Sequence, residues 1–301
     1  MSTANFRRDT ILITGVGGPA GICASNYFVK QGLNVFGADM RSVDTSAKRF
    51  FRIPAASEAS YFPTLLQIVQ DSGISLLIPT VSEELPIIAR ERDAFAAFGC
   101  HVMIAPFLAV DIANDKLKTA QFLERNDFAV PRFLPGNTPH AAVIETLGFP
   151  LIAKPRVSRG GRGVVLYTSP EELAHEHRKD IVYQEFMSGD EYDVNLFVNF
   201  EGELQSCVVL RKTSLKEGVI GNALAVERAH REDIAQMCAR IAKTLGLTGP
   251  TDIDIRLDGA GVPRLLEINA RLGANALSAN EVMDDLLADW NLRKQLTGET
   301  L

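Results

Sequence analysis

The segment TDIDIRLDGAGVPRLLEINARLGANA, Thr251 to Ala276, reads as two strands joined by a tight turn. In the first, Ile253, Ile255 and Leu257 alternate with Asp252, Asp254 and Arg256, the period-2 signature of a strand with two unlike faces. The second runs Val262 to Ile268, and Asp258-Gly259-Ala260-Gly261 forms the turn. Matched parity across antiparallel strands lets Asp254 and Glu267 lie side by side, with Asn269 and Arg271 just beyond. Two carboxylates, an amide oxygen and a guanidinium then gather in one place. Like charges set opposite each other are destabilising without a partner, so the pattern expects a cation between them, and hard oxygen donors suit Mg²⁺. A surface hairpin meeting water is the plainer reading. Against it, Leu265, Leu266 and Ile268 make the second strand too apolar for exposure, which puts Glu267 and Asn269 at the floor of a cleft.

The rest of the chain bounds what that cleft can serve. At 301 residues and 46% hydrophobic, with mean hydropathy near zero, the chain is long enough for two or three packed units and too apolar for disorder. Its net charge of −6 argues against a nucleic-acid coat or an anionic membrane surface as partner, and no Lys/Arg run of the nucleic-acid type occurs. Cys23, Cys100, Cys207 and Cys238 are far apart and fit no metal spacing, so they read as reduced, mostly buried thiols. The opening MSTANFRRDTILITGVGG has a short apolar run that stops at glycines, unlike a signal peptide or membrane span. The cytoplasm is the expected compartment.

Strand and helix signals alternate from the start: a strand at Thr10–Thr14, a helix at Pro19–Gln31, strands at Asn34–Asp39 and Ser75–Pro79, a helix over Ser82–Phe98 and a strand at His101–Ala105. Such alternation implies a parallel, doubly wound α/β domain over residues 1–110. Its first turn carries Gly15, Gly18 and Gly21 in GxxGxxG spacing, with Asp39 closing the next strand. That pattern admits a nicotinamide dinucleotide, and equally a tight turn whose glycines serve helix packing. A short-chain dehydrogenase or epimerase also needs Tyr with Lys four residues on, which none of Tyr27, Tyr61, Tyr167, Tyr183 or Tyr192 has.

Beyond Pro106 the pattern changes. Asn114 or Asp115 caps a helix through Asn126, and Lys116 in its first turn opposes the helix dipole unless it faces an anion. A solvated lysine is the ordinary alternative. The strand Gly148–Lys154 leads into Arg156-Val157-Ser158-Arg159-Gly160-Gly161-Arg162-Gly163. Three glycines among arginines make a cationic flap whose bare N–H groups can wrap phosphate oxygens, where an ordinary hairpin tip would carry Asn, Asp or Ser. Ser169-Pro170-Glu171-Glu172 is a capping box that only starts a helix. His175 and His177 diverge on that helix and do not make a metal pair, and His101, His140 and His230 are isolated. Strands at Ile181–Met187, Tyr192–Phe200 and Glu203–Lys212 and a helix at His230–Leu245 make residues 111–301 an α+β unit with a largely antiparallel sheet.

Taken in order, Asn114-Asp115-Lys116, GFPLIAKP with its GGRG flap, VYQEFMSGDEYDV, GPTDID and the closing EINAR resemble the ATP-grasp carboxylate–amine ligases, in particular one ATP-grasp half of carbamoyl-phosphate synthase large chain. The resemblance spans nearly the whole chain: residues 1–110 are similar to a Rossmann-like pre-ATP-grasp domain and 111–301 to an ATP-grasp domain, with a flap-bearing subdomain at about 130–187. It implies that Lys116 and Lys154 bind phosphate, that Gly160, Gly161 and Gly163 cover it, that Glu185 and Phe186 lie in the segment facing adenine, and that Glu191 takes the ribose hydroxyls. It also implies Asp254, Glu267 and Asn269 as ligands of Mg²⁺ or Mn²⁺, with Arg271 and Lys154 beside the transferred phosphoryl group. The family often carries Gln or Glu where Asp254 stands. The implied reaction uses ATP to activate a small carboxylate as an acyl phosphate, which an amine captures. Small-molecule acids and amines are the implied partners, with no nucleic acid and no membrane, and a homodimer is left open. A nicotinamide enzyme and an ATP-binding module without catalysis are the alternatives.

Overall fold

The structure, a computed structural model, describes residues 9–158, 160–217 and 220–296, so Arg159 of the flap lies outside the described residues. A parallel sheet is built from β1 (Thr10–Thr14), β2 (Asn34–Asp39), β3 (Arg49–Arg52), β4 (Leu76–Ile78) and β5 (His101–Val102). Its order is β3-β2-β1-β4-β5. β1 is buried throughout because it is central and covered on both faces; Ile11, Leu12 and Ile13 are fully buried, each contributing about 1.5–3 kcal/mol over an exposed side chain. Around this sheet run α1 (Pro19–Lys30), α2 (Tyr61–Ser72), α3 (Leu85–Arg90) and α4 (Arg92–Ala96).

The expected helix over Ser82–Phe98 is therefore two short helices. Pro86 fits only a first turn, so the helix starts at Leu85, and the chain leaves helical geometry at Glu91 with φ −96° and ψ 16°. β3 and α2 had no sequence expectation: RFFR is too short to show a period, and Pro63 interrupts the pattern of α2 in its first turn.

Next come α5 (Phe107–Ala113) and α6 (Lys116–Arg125); Asp115 caps α6, its Oδ1 accepting from Leu117 N at 2.9 Å and Lys118 N at 3.3 Å. A small sheet follows, with β6 (Phe133–Pro135), α7 (His140–Leu147), β7 (Leu151–Pro155), β8 (Val165–Tyr167), α8 (Pro170–Leu173) and β9 (Ile181–Glu185), in strand order β6-β9-β7-β8. Ser169 caps α8, although Glu172 reaches back to Thr168 N, one residue earlier than a capping box would have it.

The large antiparallel sheet takes β10 (Glu191–Val198), β11 (Leu204–Glu217), β12 (Ile220–Arg228), β13 (Gly249–Leu257) and β14 (Pro263–Asn269), in order β12-β11-β10-β13-β14. α9 (Glu232–Leu245) and α10 (Asn280–Leu296) pack on it. β11 runs past the expected Lys212, and β12 was not anticipated. Cys23, Cys100 and Cys238 are buried, Cys207 is half-buried, and all four are free. Among the described residues no helix is long and apolar enough to cross a membrane.

Candidate active site

The β13–β14 hairpin sets the geometry. Asp254 pairs with Glu267 and Asp252 with Asn269, as parity required, but Ile255 pairs with Leu265. Leu266 is thus a bulge residue whose carbonyl is released from the ladder, and it accepts from Lys154 Nζ at 3.0 Å. Lys154 is 6% exposed, and burial lowers its pKa from 10.5 to about 8, with Glu267 opposing and Lys116 reinforcing that shift.

Lys116 faces the anion its helix position called for: its Nζ lies 3.0 Å from Glu267 Oε2 and donates to Ser158 O at 3.0 Å. Burial works to raise the Glu267 carboxyl, but Lys116 and Lys154 outweigh it and hold the group at about 2. Asp254 is pushed upward by burial and by Asp252, Glu267 and Glu191, against the pull of Lys212. Asn269 Oδ1 accepts from Arg271 Nη2 at 3.0 Å, and Arg271 Nη1 donates to Leu272 O at 2.7 Å.

Lys116, Lys154, Asp254, Glu267, Asn269 and Arg271 are therefore brought together, and the other expected residues divide. Glu191 joins the group through Lys212, which lies 2.6 Å from Glu191 Oε1 and 2.5 Å from Asp254 Oδ1. Phe186 stacks under Arg256, 5.1 Å from ring centroid to guanidinium, and Arg256 Nη1 lies 3.5 Å from Glu191 Oε2. The Glu185 side chain turns elsewhere, to Arg132 Nε at 2.9 Å. Gly160, Gly161 and Gly163 have left-handed φ of 63°, 73° and 73°, a region that favours glycine. At Gly161 a Cβ would stand 3.0 Å from Gly221 Cα, so the flap tip reaches β12 across the site.

A cleft of about 780 Å³ joins these parts, lined by Gly160–Val164 on one side, Asp254, Glu267, Asn269 and Arg271 on its floor, and Gly15, Asp39 and Glu84 at the C-terminal ends of the parallel strands. The Gly-rich first turn is accounted for by packing. A Cβ on Gly21 would stand 2.2 Å from Gly15 O, and Asp39 spends its two oxygens on Gly17 N and Arg41 N, each at 3.1 Å.

Lys212, Asp193, Asp252 and Arg256 were not expected in the site. The period-2 pattern could have found them: Asp193 pairs with Asp254 and Leu210, which puts Glu191, Asp193 and Lys212 on the face that carries Asp254.

Among the described residues no three His, Cys, Asp or Glu side chains converge as a metal-holding group. Asp254, Glu267 and Asn269 nevertheless fit Mg²⁺ or Mn²⁺ as hard oxygen donors on neighbouring strands. Mg²⁺ commonly takes one or two protein carboxylates and completes its shell with phosphate oxygens and water.

Residues 113–275 match the family model of the ATP-grasp domain, and residues 11–103 match that of the PylC-like N-terminal domain. The chain is 27% identical over 199 residues to D-alanine-D-alanine ligase B of Chromobacterium violaceum, covering 60% of this chain and 63% of that protein. It is 29% identical over 133 residues to the carbamoyl phosphate synthase large chain of Thermotoga neapolitana, covering 43% of this chain and 11% of that one. Both matches span less than two thirds of the relative's own length. The crystal structure of an L-amino acid ligase from Bacillus licheniformis is similar in fold, with TM-score 0.70 and 21% identity over 90% of this chain and 68% of the other. The ATP-grasp model alone covers more than half of the 301 residues, in agreement with the motif order, and the chain belongs to the ATP-grasp family.

Proposed function

We propose that this chain is an ATP-dependent ligase that activates a small carboxylate as an acyl phosphate and joins it to an amine, releasing ADP and phosphate. The observation that carries this reading is that Asp254, Glu267 and Asn269 line one cleft beneath a glycine flap, with Lys116 on Glu267 and Lys154 on the Leu266 carbonyl of the same strand. In this reading residues 1–110 form the pre-ATP-grasp unit and 111–301 the ATP-grasp unit.

Lys116 and Lys154 bind phosphate oxygens, and the flap N–H groups close over them and exclude water. Arg271 stands beside the transferred group. Asp254, Glu267 and Asn269 hold Mg²⁺ or Mn²⁺, which supplies charge neutralisation at the phosphates. A substrate carboxylate oxygen attacks the γ-phosphorus and the bond to ADP breaks; the amine then attacks the acyl carbon, phosphate leaves and the amine loses a proton. Positioning and electrostatics do most of this, so no protein nucleophile is needed. The free thiols accord with a cytoplasmic setting.

The test has two arms. A non-hydrolysable ATP analogue with Mg²⁺ should raise the melting temperature by mass action, and NAD or NADP should not. Phosphate release from ATP is then screened with amino acids and other small carboxylates, with and without amines. A nicotinamide shift that survives Lys154→Ala and is lost in Gly18→Val would overturn the reading. Nucleotide binding with no release in any acid and amine pair would leave a binding module instead.

A further inference from the structure

Lys116 and Lys154, the two lysines read as phosphate ligands, stand on separately packed bodies. Lys116 opens α6, which packs through Leu123 into the core that also holds Ile253, Leu265 and Ile268 of the large sheet. Lys154 lies on β7, whose sheet closes around a core of its own with Val143, Leu151, Ala153 and Tyr183. Hydrophobic burial is non-directional, so the register between two such bodies falls to the polar groups that join them.

One carboxylate makes that join. Asp115 Oδ1 accepts from Leu117 N at 2.9 Å and Lys118 N at 3.3 Å, which fixes the first turn of α6. The same carboxylate receives Arg156, next but one after Lys154: its Nε lies 3.1 Å from each oxygen and its Nη2 2.5 Å from Oδ2. A guanidinium that donates from two nitrogens sets orientation as well as distance. A main-chain bond runs alongside, from Lys116 N to Arg156 O at 2.9 Å, and takes up an N–H that the helix itself leaves open. The lysine head groups, by contrast, rest on Glu267 and on Leu266 O, partners that phosphate oxygens replace or share in the ligase reading. The join at Asp115 is untouched by that exchange.

We propose that Asp115 is a positioning residue for phosphate binding: through Arg156 it holds Lys116 and Lys154 at the spacing that the phosphates of a nucleotide require. This rests on the ligase reading above. A helix cap alone does not need the charge, because Asn caps as well as Asp. The guanidinium does need it, since an amide offers one neutral oxygen and turns N–H groups toward a group that can only donate. Asp115 is 8% exposed and protein donors take both its oxygens, so it acts on a nucleotide through the lysines and not as a ligand.

The experiment titrates the whole protein calorimetrically with a non-hydrolysable ATP analogue and Mg²⁺, as wild type, Asp115→Asn, Arg156→Gln and the double variant. Asp115→Asn keeps the cap, and Arg156→Gln keeps the carbonyl that Lys116 N uses, so both should fold, as circular dichroism checks. Each single variant should bind the analogue about tenfold more weakly, the lower end of the effect of residues that orient ligating side chains. The double variant should be no weaker than either single one, because both remove the same link. Adenosine, which has no phosphate, should bind all four proteins alike. Wild-type affinity in a folded Asp115→Asn protein would reduce Asp115 to a helix cap and overturn the proposal. Losses that add in the double variant, or that adenosine shares, would overturn it as well. Should Asp115→Asn not fold, Arg156→Gln carries the same comparison, on a side chain 33% exposed. Failure of the wild type to bind the analogue would instead overturn the nucleotide reading, and the proposal with it.

Discussion

Lys212 Nζ lies 2.5 Å from Asp254 Oδ1 and 2.6 Å from Glu191 Oε1, a buried ammonium between carboxylates carried by two other strands. Burial works against the charge on Lys212, but Asp254 and Glu191 outweigh it and raise its pKa well above 10.5. Lys212 therefore holds these like charges together when no metal is bound.

Lys212→Met removes that compensation. Breaking one side of a buried ion pair typically costs about 3–5 kcal/mol, because the remaining charges lose their partner. In a chelator the variant should melt well below the wild type, and Mg²⁺ should restore more stability to it than to the wild type. An equal response to Mg²⁺ in the two proteins would show that Asp254 and Glu191 do not lie next to the metal.

Glu267→Gln tests the same site from the other side. Its partner Lys116, 3.0 Å away, keeps Ser158 O as an acceptor, so the fold should survive with a loss of about 1–3 kcal/mol in urea unfolding. ATP-dependent phosphate release should fall by about 100-fold or more, the scale seen when a key electrostatic group is removed. Wild-type release from a folded Glu267→Gln protein would remove Glu267 from the metal site.

Much of this was legible because strands advertise their two faces. Asp254 opposite Glu267 followed from parity alone, and β1 followed from three consecutive apolar residues between threonines before a glycine turn. The bulge at Leu266 was not legible, since one extra residue leaves no mark in an already apolar run, yet it frees the carbonyl that Lys154 uses. Lys212 escaped for a different reason. It ends the part of β11 that the sequence reveals, and its role depends on β10 and β13, distant in the chain. β12 contains GNALAVE, where glycine and asparagine break the alternation that would have announced a strand.

The flap itself is narrower than its sequence implies. Arg156–Gly163 reads as open along its whole length, but Arg156 is held 2.5 Å from Asp115, Ser158 accepts from Lys116, and Gly163 O accepts from Arg178 at 2.7 Å. Hydrogen exchange should thus find the amides near Arg156 slow with or without nucleotide, and those of Gly160 to Gly163 slowed only by an ATP analogue with Mg²⁺. Equal protection of the tip in both states, where binding is shown independently, would rule out a phosphate lid.

Lys154 gives the reading a pH signature. Its free-state pKa of about 8 is lowered chiefly by burial, and phosphate oxygens bind the protonated amine, so the bound-state pKa must be higher. Affinity for an ATP analogue should therefore be flat below the free-state pKa and fall as pH rises through about 8, by up to tenfold per unit, until the bound-state pKa is reached. Stability runs the other way. The unfolded chain, with Lys154 near 10.5, binds more protons than the folded one between about 8 and 10.5, so this residue makes the fold more stable as pH rises across that window. Lys154→Arg keeps its charge at every accessible pH and should flatten both dependences, at some loss of fit at Leu266 O. Calorimetric titration of the two proteins with the analogue and Mg²⁺ across pH 8 reads the difference directly. If wild-type affinity does not fall through that range, or if Lys154→Arg shows the same slope, then Lys154 does not bind the phosphates as a cation.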